Sequence, residues 1–270
     1  MQSLQFSGLN TINNFRQDIR MKKSIRVLGV MMLVLVACTK KDSVKVPVAS
    51  KAYLSITHAA PFVQTLQLYM DHQPVRLSDS LRFGTTTVHT SLKNPYVPVA
   101  QGPRQVDLGF SKDDFPALSL NEHFAAGKMY SLFILDTLKY GRLKYLLIKD
   151  DFKKMMPAQQ AALRFLNLSP NAPALDLYIV PWRKTDTVRV ASNRQYPAYD
   201  FNNIYADNQF FYITEGDYWM EARIAGTGTV LLQGGLTVEA GSVFTLFTKG
   251  IYGAFGAYRL NVGVIEYIPE

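Results

Sequence analysis

From residue 51 onward the chain sets short apolar runs between turn residues, with a period close to two. "LDLYIV" (175–180) places Leu175, Leu177 and Ile179 on one face and Asp176, Tyr178 and Val180 on the other. "YWMEARI" (218–224) places Tyr218, Met220, Ala222 and Ile224 inward, with Glu221 and Arg223 outward. Such runs recur every 8–14 residues, the spacing of a β-sandwich. Glycine-bearing elements separate them: "AAG" ending at Gly127, "EAG" ending at Gly241, "TEGDY" around Gly216 and "GTGT" (226–229) read as reversals. One stretch, "DDFKKMMPAQQAA" (150–162), reads as a linker or short connecting helix, acidic at its start. The pattern predicts an all-β fold.

The runs are also self-similar. "AYLSITHAAPFVQTLQLYMD" (52–71) aligns without gaps to "AALRFLNLSPNAPALDLYIV" (161–180) at an offset of 109, with 6 of 20 positions identical. "FAAGKMYSLFILD" (124–136) aligns to "VEAGSVFTLFTKG" (238–250) at an offset of 114, and Gly102 and Gly216 share that offset. About five extra residues therefore enter the second unit between 180 and 210. The repeat divides the chain into a first β-sandwich at 51–149, a linker at 150–160 and a second β-sandwich at 161–270.

"LRFLNLSPNAPALDLYI" (163–179), "FFYITEGDYWMEARIAG" and "LTVEAGSVFTLFTKG" resemble a bacterial extracytoplasmic family, domain of unknown function 4397. Its members carry an H/N-x-S-P-x-A-P-x-V/L-D-V/L-Y stretch, a P-A-G-x-Y turn and an L-x-A-G-x-x-Y/F-T hairpin. The second unit matches all three, with Glu215-Gly216-Asp217-Tyr218 in place of the usual turn. The first unit keeps His58 and Pro61 but has Gln67 where the family has Asp. The resemblance implies two tandem immunoglobulin-like β-sandwich domains, sometimes found as envelope lipoproteins, and brings no established activity.

The segment before the repeats reads as an address. In "MKKSIRVLGVMMLVLVAC", from Met21, Lys22, Lys23 and Arg26 precede an uncharged run of 11 residues, Val27 to Ala37. That run is short of the roughly 20 apolar residues that span a bilayer and fits a secretory signal peptide. Leu35-Val36-Ala37-Cys38 resembles the lipobox of bacterial lipoproteins, which makes Cys38, the one cysteine in the chain, the lipidation site. Two or three acyl chains on one residue anchor lastingly, where a single chain does not. On this reading 1–37 is an N-terminal extension with signal peptide, translation begins at Met1 or Met21, and 38–50 is an extended tether. The location is the cell envelope, anchored to the outer membrane and facing either the periplasm or the exterior.

Charge and chemistry narrow the function. The formal charge of +8 is shared between residues 1–38, at +4, and the remainder, with 24 basic against 20 acidic residues. No basic run of five or more appears, so nucleic acid is not an expected partner. His58, His72, His89 and His123 lie far apart, without HExxH or a second cysteine, and predict no metal site. His58 aligns with Asn167, and both read as strand-end side chains bonded to a turn. No G-x-S-x-G elbow occurs, and no cofactor is expected. Asp176 reads as a carboxylate that caps the "SPNAP" turn, with cation ligation as the alternative.

The richest stretch is "NRQYPAYDFNNIYADNQFF" (193–211), which mixes aromatics with amides. Rings that stack on sugar C–H faces beside amides that bond hydroxyls suit glycan recognition. Tyr196, Tyr199 and Tyr205, joined by Trp182, are the candidate ligand-binding residues, set against the same aromatics packing beneath a long loop. The sequence thus predicts a non-catalytic binding or scaffolding module for a glycan or an envelope protein, with an envelope hydrolase or a structural spacer as alternatives.

Overall fold

The structure is a computed structural model that describes residues 51–77, 80–87, 94–111, 116–139, 142–150, 157–182, 185–197 and 209–268. Cys38, the signal peptide and the tether lie outside these residues, as do Tyr199, Tyr205 and His89. The described strands are β1 (Lys51–His58), β2 (Gln67–Met70), β3 (Gln73–Pro74), β4 (Val97–Ala100), β5 (Gly102–Gly109), β6 (Leu118–Phe124), β7 (Met129–Lys139) and β8 (Arg142–Asp150). They continue with β9 (Gln160–Asn167), β10 (Leu175–Pro181), β11 (Val188–Arg194), β12 (Phe211–Thr214), β13 (Gly216–Ile224), β14 (Val230–Val238), β15 (Val243–Lys249) and β16 (Asn261–Tyr267). The protein is all-β.

The strands form four four-stranded sheets, and residues 47–270 cluster as one compact unit. Sheet order is β4-β1-β7-β8 and β3-β2-β5-β6, then β12-β9-β15-β16 and β11-β10-β13-β14. The second pair of sheets has the strand order of the first, shifted by eight strands. Register matches too. Tyr53 faces Met129 in the parallel β1–β7 pair, and Ala162 faces Val243 in the parallel β9–β15 pair. These are the residues that the offsets of 109 and 114 equate. Gly127 and Gly241 stand before the second strand of each pair at φ 68° and 82°. Their N–H groups donate to Lys51 and Gln160 carbonyls at 2.7 and 2.8 Å.

Three apolar cores fill the spaces between sheets. The first takes Leu54 and Ile56 of β1, Leu68 of β2, Val106 and Leu108 of β5, and Leu132 and Ile134 of β7. The second takes Leu163 and Phe165 of β9, Leu175 and Leu177 of β10, Met220 and Ala222 of β13, and Leu246 of β15. Each is sandwich packing. The third core comprises Ala59, Phe133, Leu135, Leu146, Ile148, Leu166, Leu168, Phe247 and Ile265. It lies between the β1-containing and β9-containing sheets, which are thereby buried on both faces. That explains why β9, "QAALRFLN", is buried from its second residue to its last instead of alternating.

A charged pair is buried in the same layer. Arg164 on β9 is fully buried, and its Nη1 donates to Asp150 Oδ1 at 2.6 Å. Arg164 Nε and Nη2 donate to Thr245 Oγ1 at 3.2 and 2.9 Å. Asp150 Oδ2 accepts from Ser131 Oγ at 2.7 Å and from the Tyr96 hydroxyl at 2.9 Å. The guanidinium stands 4.7 Å over the Phe210 ring, and Tyr96 meets Tyr267 edge-on at 5.2 Å. Burial, reinforced by the Asp150 carboxylate, pushes the Tyr96 phenol well above its ordinary range. The network joins β7 and β8 to β9 and β15 through polar groups that each find a partner, the condition for tolerating buried charge.

At both described ends of 150–162 the chain is strand and turn, not helix. Asp150 is the last residue of β8 and Gln160 the first of β9. Between them Gln160 N donates to Pro157 O at 3.2 Å, and Gln159 sits at φ 62°, a tight turn incompatible with a helix. Residues 151–156 lie outside the described residues.

Candidate binding surface

The strand-end polar residues explain how one end of the molecule is built. His58 closes β1 and donates from Nε2 to the Gln64 carbonyl at 3.2 Å. Asn167 closes β9 and donates to the Pro173 carbonyl at 3.0 Å, also six residues on. Asn167 additionally donates to Arg194 O at 3.1 Å and accepts from Thr248 Oγ1 at 2.7 Å. Burial pushes the His58 pKa down, so the ring is neutral at pH 7. Both side chains pin the turn that follows their strand.

In the first turn, Pro61 precedes Phe62 at φ 62°, a left-handed conformation that an aromatic residue adopts at a cost. Phe62 is 59% exposed. Its ring lies 4.4 Å from that of Tyr258, which lies 5.3 Å from Phe83. Phe83 meets His58 edge-on and carries Lys249 Nζ at 5.9 Å from its centroid. Lys249 ends β15, donates to Gly84 O at 3.4 Å and is partly desolvated, which lowers its pKa.

The Tyr258 loop is organised, not slack. Gly250 takes φ 85°, and a side chain there would run into the carbonyls of Tyr258 and Arg259. Ile251 N donates to Tyr258 O at 2.8 Å, Leu260 N donates to Ile251 O at 3.1 Å, and Gly256–Tyr258 make one 3-10 turn. The "SPNAP" motif braces the loop from the side. Ser169 Oγ donates to Gly250 O at 2.8 Å, and Asn171 exchanges hydrogen bonds with both backbone groups of Tyr252 at 2.8 and 2.9 Å. This frame holds Phe255 94% exposed and Tyr252 45% exposed. Exposing a ring of that size forgoes roughly 2 kcal/mol of burial. A braced loop that presents two aromatics to solvent, beside the exposed Phe62 of the neighbouring turn, is a surface suited to stacking.

The sequence-predicted aromatics are arranged differently. Trp182 is 57% exposed just beyond β10, its N–H donating to Asp217 O at 2.8 Å. Tyr196 follows β11 and packs against the third core. β10 and β11 are antiparallel, with Leu175 opposite Arg194 and Ile179 opposite Val188. Trp182 and Tyr196 therefore lie at opposite ends of this hairpin, about 20 Å apart at ~3.3 Å per residue. The structure does not bring them together. Phe62, Tyr252 and Phe255 were not singled out from the sequence, although the aromatics spaced by glycine in "GIYGAFGAY" (250–258) are a usable signal.

The other polar features are accounted for locally. Asp176 accepts from Asn193 N at 2.7 Å and from Gly226 N at 3.3 Å, bonding a strand and the "GTGT" hairpin turn. His72 Nδ1 lies 3.6 Å from Asp107, and His123 lines a shallow open depression of about 350 Å³ with Arg104, Gln105 and Asn121. Asp71 beside it is held below the usual carboxylate range by the Gln105 N–H and by Arg104. Among the described residues no three His, Cys, Asp or Glu side chains converge.

Residues 52–178, a little under half of the chain, match the family model described as Domain of unknown function (DUF4397). That span takes in the first pair of sheets and the first strands of the second. No curated protein matches the sequence. Solved structures with similarity include the Bacillus anthracis TIE protein, 10% identical over 78% of this chain with a TM-score of 0.24. This chain covers 34% of that one, about a third of its length. A streptococcal virulence factor described for alpha-glucan binding is 11% identical over 73% of this chain and 92% of its own, with a TM-score of 0.22. A Bacteroides eggerthii structure described as "a putative cell adhesion protein" is 8% identical over 82% of this chain and 96% of its own, with a TM-score of 0.23.

Proposed function

We propose that the chain is a lipid-anchored, non-catalytic binding module of the cell envelope, built as two copies of one β-sandwich unit, 51–149 and 161–270. The observation that carries this reading is the braced loop 250–260, which exposes Tyr252 and Phe255 and sets Tyr258 against the exposed Phe62 ring at 4.4 Å. It forms where β1 and β15 end, at the other end of β1 from Lys51, where the chain arrives from the tether. Eight residues of strand put roughly 25 Å between the two. A glycan fits rings presented face-outward on a fixed backbone, because stacking on sugar C–H faces needs no deep pocket.

Binding of the full chain to an array of polysaccharides and envelope proteins tests the module. Phe62→Ala and Phe255→Ala should each weaken retention at least fivefold without changing thermal stability. Retention of an envelope protein alone would replace glycan with a protein ligand, and no retention at all would leave a spacer. Incorporation of labelled fatty acid, lost in Cys38→Ala, tests the anchor separately.

A further inference from the structure

The edges of the four sheets are treated unequally. An edge strand offers a row of unpaired N–H and C=O groups to any other strand, and proteins block such edges with charge, proline or shortness. Seven of the eight described edge strands follow that rule. β3 carries Pro74 and β4 carries Pro98. β6 carries Glu122, β8 carries Lys144 and Lys149, β11 carries Arg189 and Arg194, and β16 carries Glu266. β12 is four residues long. β14, "VLLQGGLTV", is nine residues long with neither charge nor proline. Its one strand neighbour is β13, and no backbone hydrogen bond among the described residues reaches its outer side.

We propose that β14 is a homodimer interface, pairing antiparallel with β14 of a second copy so that two four-stranded sheets become one of eight. The occupant follows from the edge itself. A neutral strand meets its own copy without opposing charges, whereas the charged edges would set like against like. Between Leu232 and Val238 the strand pairs with β13 without a shift, and the bulge falls beyond, at Ala222/Arg223. A two-fold axis at Gly235 overlaps all seven of these residues with their counterparts. Leu232 then faces the partner's Val238, Gln233 faces the partner's Thr237, and Gly234 faces the partner's Leu236. Leu236 and Val238 are buried and Leu232 packs on the second core, so the inward face runs on across the axis as apolar surface. Gln233, Gly235 and Thr237 are exposed and form the polar outer face. A Cβ at Gly235 meets nothing within 4 Å, leaving the axis open. An isologous contact of this kind closes after two copies.

Two measurements on the full chain in mild detergent test the pairing. By density-matched sedimentation equilibrium the unsubstituted protein should be a dimer, and Gln233→Lys with Thr237→Lys, which sets lysine against lysine twice, should raise its dissociation constant at least tenfold. A monomer at 100 μM on the order of protein–protein affinities, or a dimer indifferent to the two lysines, overturns the proposal. The second measurement reads register. Gly235→Cys places thiols face to face at the axis, within reach of a disulfide, and should give a reducible covalent dimer on mild oxidation. Gln233→Cys, which faces Thr237, should cross-link at least fivefold less, with the unsubstituted chain as control for Cys38. Circular dichroism confirms that each variant is folded. Equal cross-linking by the two cysteines, or cross-linking by Gln233→Cys alone, refutes the axis.

Discussion

Replacing Asp150 by Asn tests what holds the two pairs of sheets together. The side chain keeps its size, but the Arg164 guanidinium, fully buried, loses its counter-ion at 2.6 Å. The hydroxyls of Ser131 and Tyr96 also lose a charged acceptor. Leaving a buried charge without its partner costs about 3–5 kcal/mol, a large part of the 5–15 kcal/mol typical of a folded domain. With a urea slope of about 3 kcal/mol/M, the unfolding midpoint should fall by about 1–1.7 M. Tryptophan fluorescence is a suitable signal, because Trp219 on β13 is half-buried. The network lies between the sheets of the third core, so the variant should also separate one cooperative transition into two as the halves unfold independently. A second variant removes both charges, Arg164→Met with Asp150→Leu. Apolar replacement of a buried pair is often neutral or stabilising, so this protein should recover to within about 1.5 kcal/mol of the original. A loss below about 1 kcal/mol in Asp150→Asn, or a double variant worse than the single one, would refute the claim that an uncompensated charge is the cost.

Burial lowers the His58 pKa below its unfolded value, so unfolding takes up a proton and stability is present above about pH 6.5 and lost as pH falls. In His58→Asn, which can make the Asn167-type bond, the melting temperature should change less between pH 7 and pH 5 than in the original protein. Gly250→Ala should destabilise by more than about 2 kcal/mol, because it combines a left-handed φ of 85° with overlap on backbone carbonyls, whereas Gly127→Ala, at φ 68° with open space, should cost about 1 kcal/mol by urea titration. Phe255→Ala, at a residue 94% exposed, should leave stability within about 0.5 kcal/mol while reducing ligand retention, and a large stability loss would mean that the ring is packed after all.

Much of the architecture was legible because strand periodicity reports which side of a strand faces a core. Of the inward set Tyr218, Met220, Ala222 and Ile224, the first three are buried and Ile224, at the strand end, is half-buried, and Gly127 and Gly241 take the left-handed turns expected of them. The offsets of 109 and 114 reappear as equal registers in the two inner sheets, and His58 and Asn167 bond to the turns that follow them. Of the stretch 150–162, read as a linker or short connecting helix, the described ends are strand and turn, since amide-rich residues beside a proline suit a turn as well as a helix. Of the four candidate ligand-binding residues, Trp182 and Tyr196 stand at opposite ends of the β10–β11 hairpin, because nearness in sequence across a hairpin is not nearness in space, and Tyr199 and Tyr205 lie outside the described residues.

The amino-acid sequence by itself determined the all-β class, the positions of the reversals and the inward face of most strands, because these depend on local φ/ψ preference and a two-residue period. Only the tertiary structure decided that the inner sheets are buried twice, that Arg164 meets Asp150, and that Phe62, Phe83 and Tyr258 stack into one surface. Phe62 and Tyr258 are nearly 200 positions apart, and alternation along one strand carries no information about what packs on its second face.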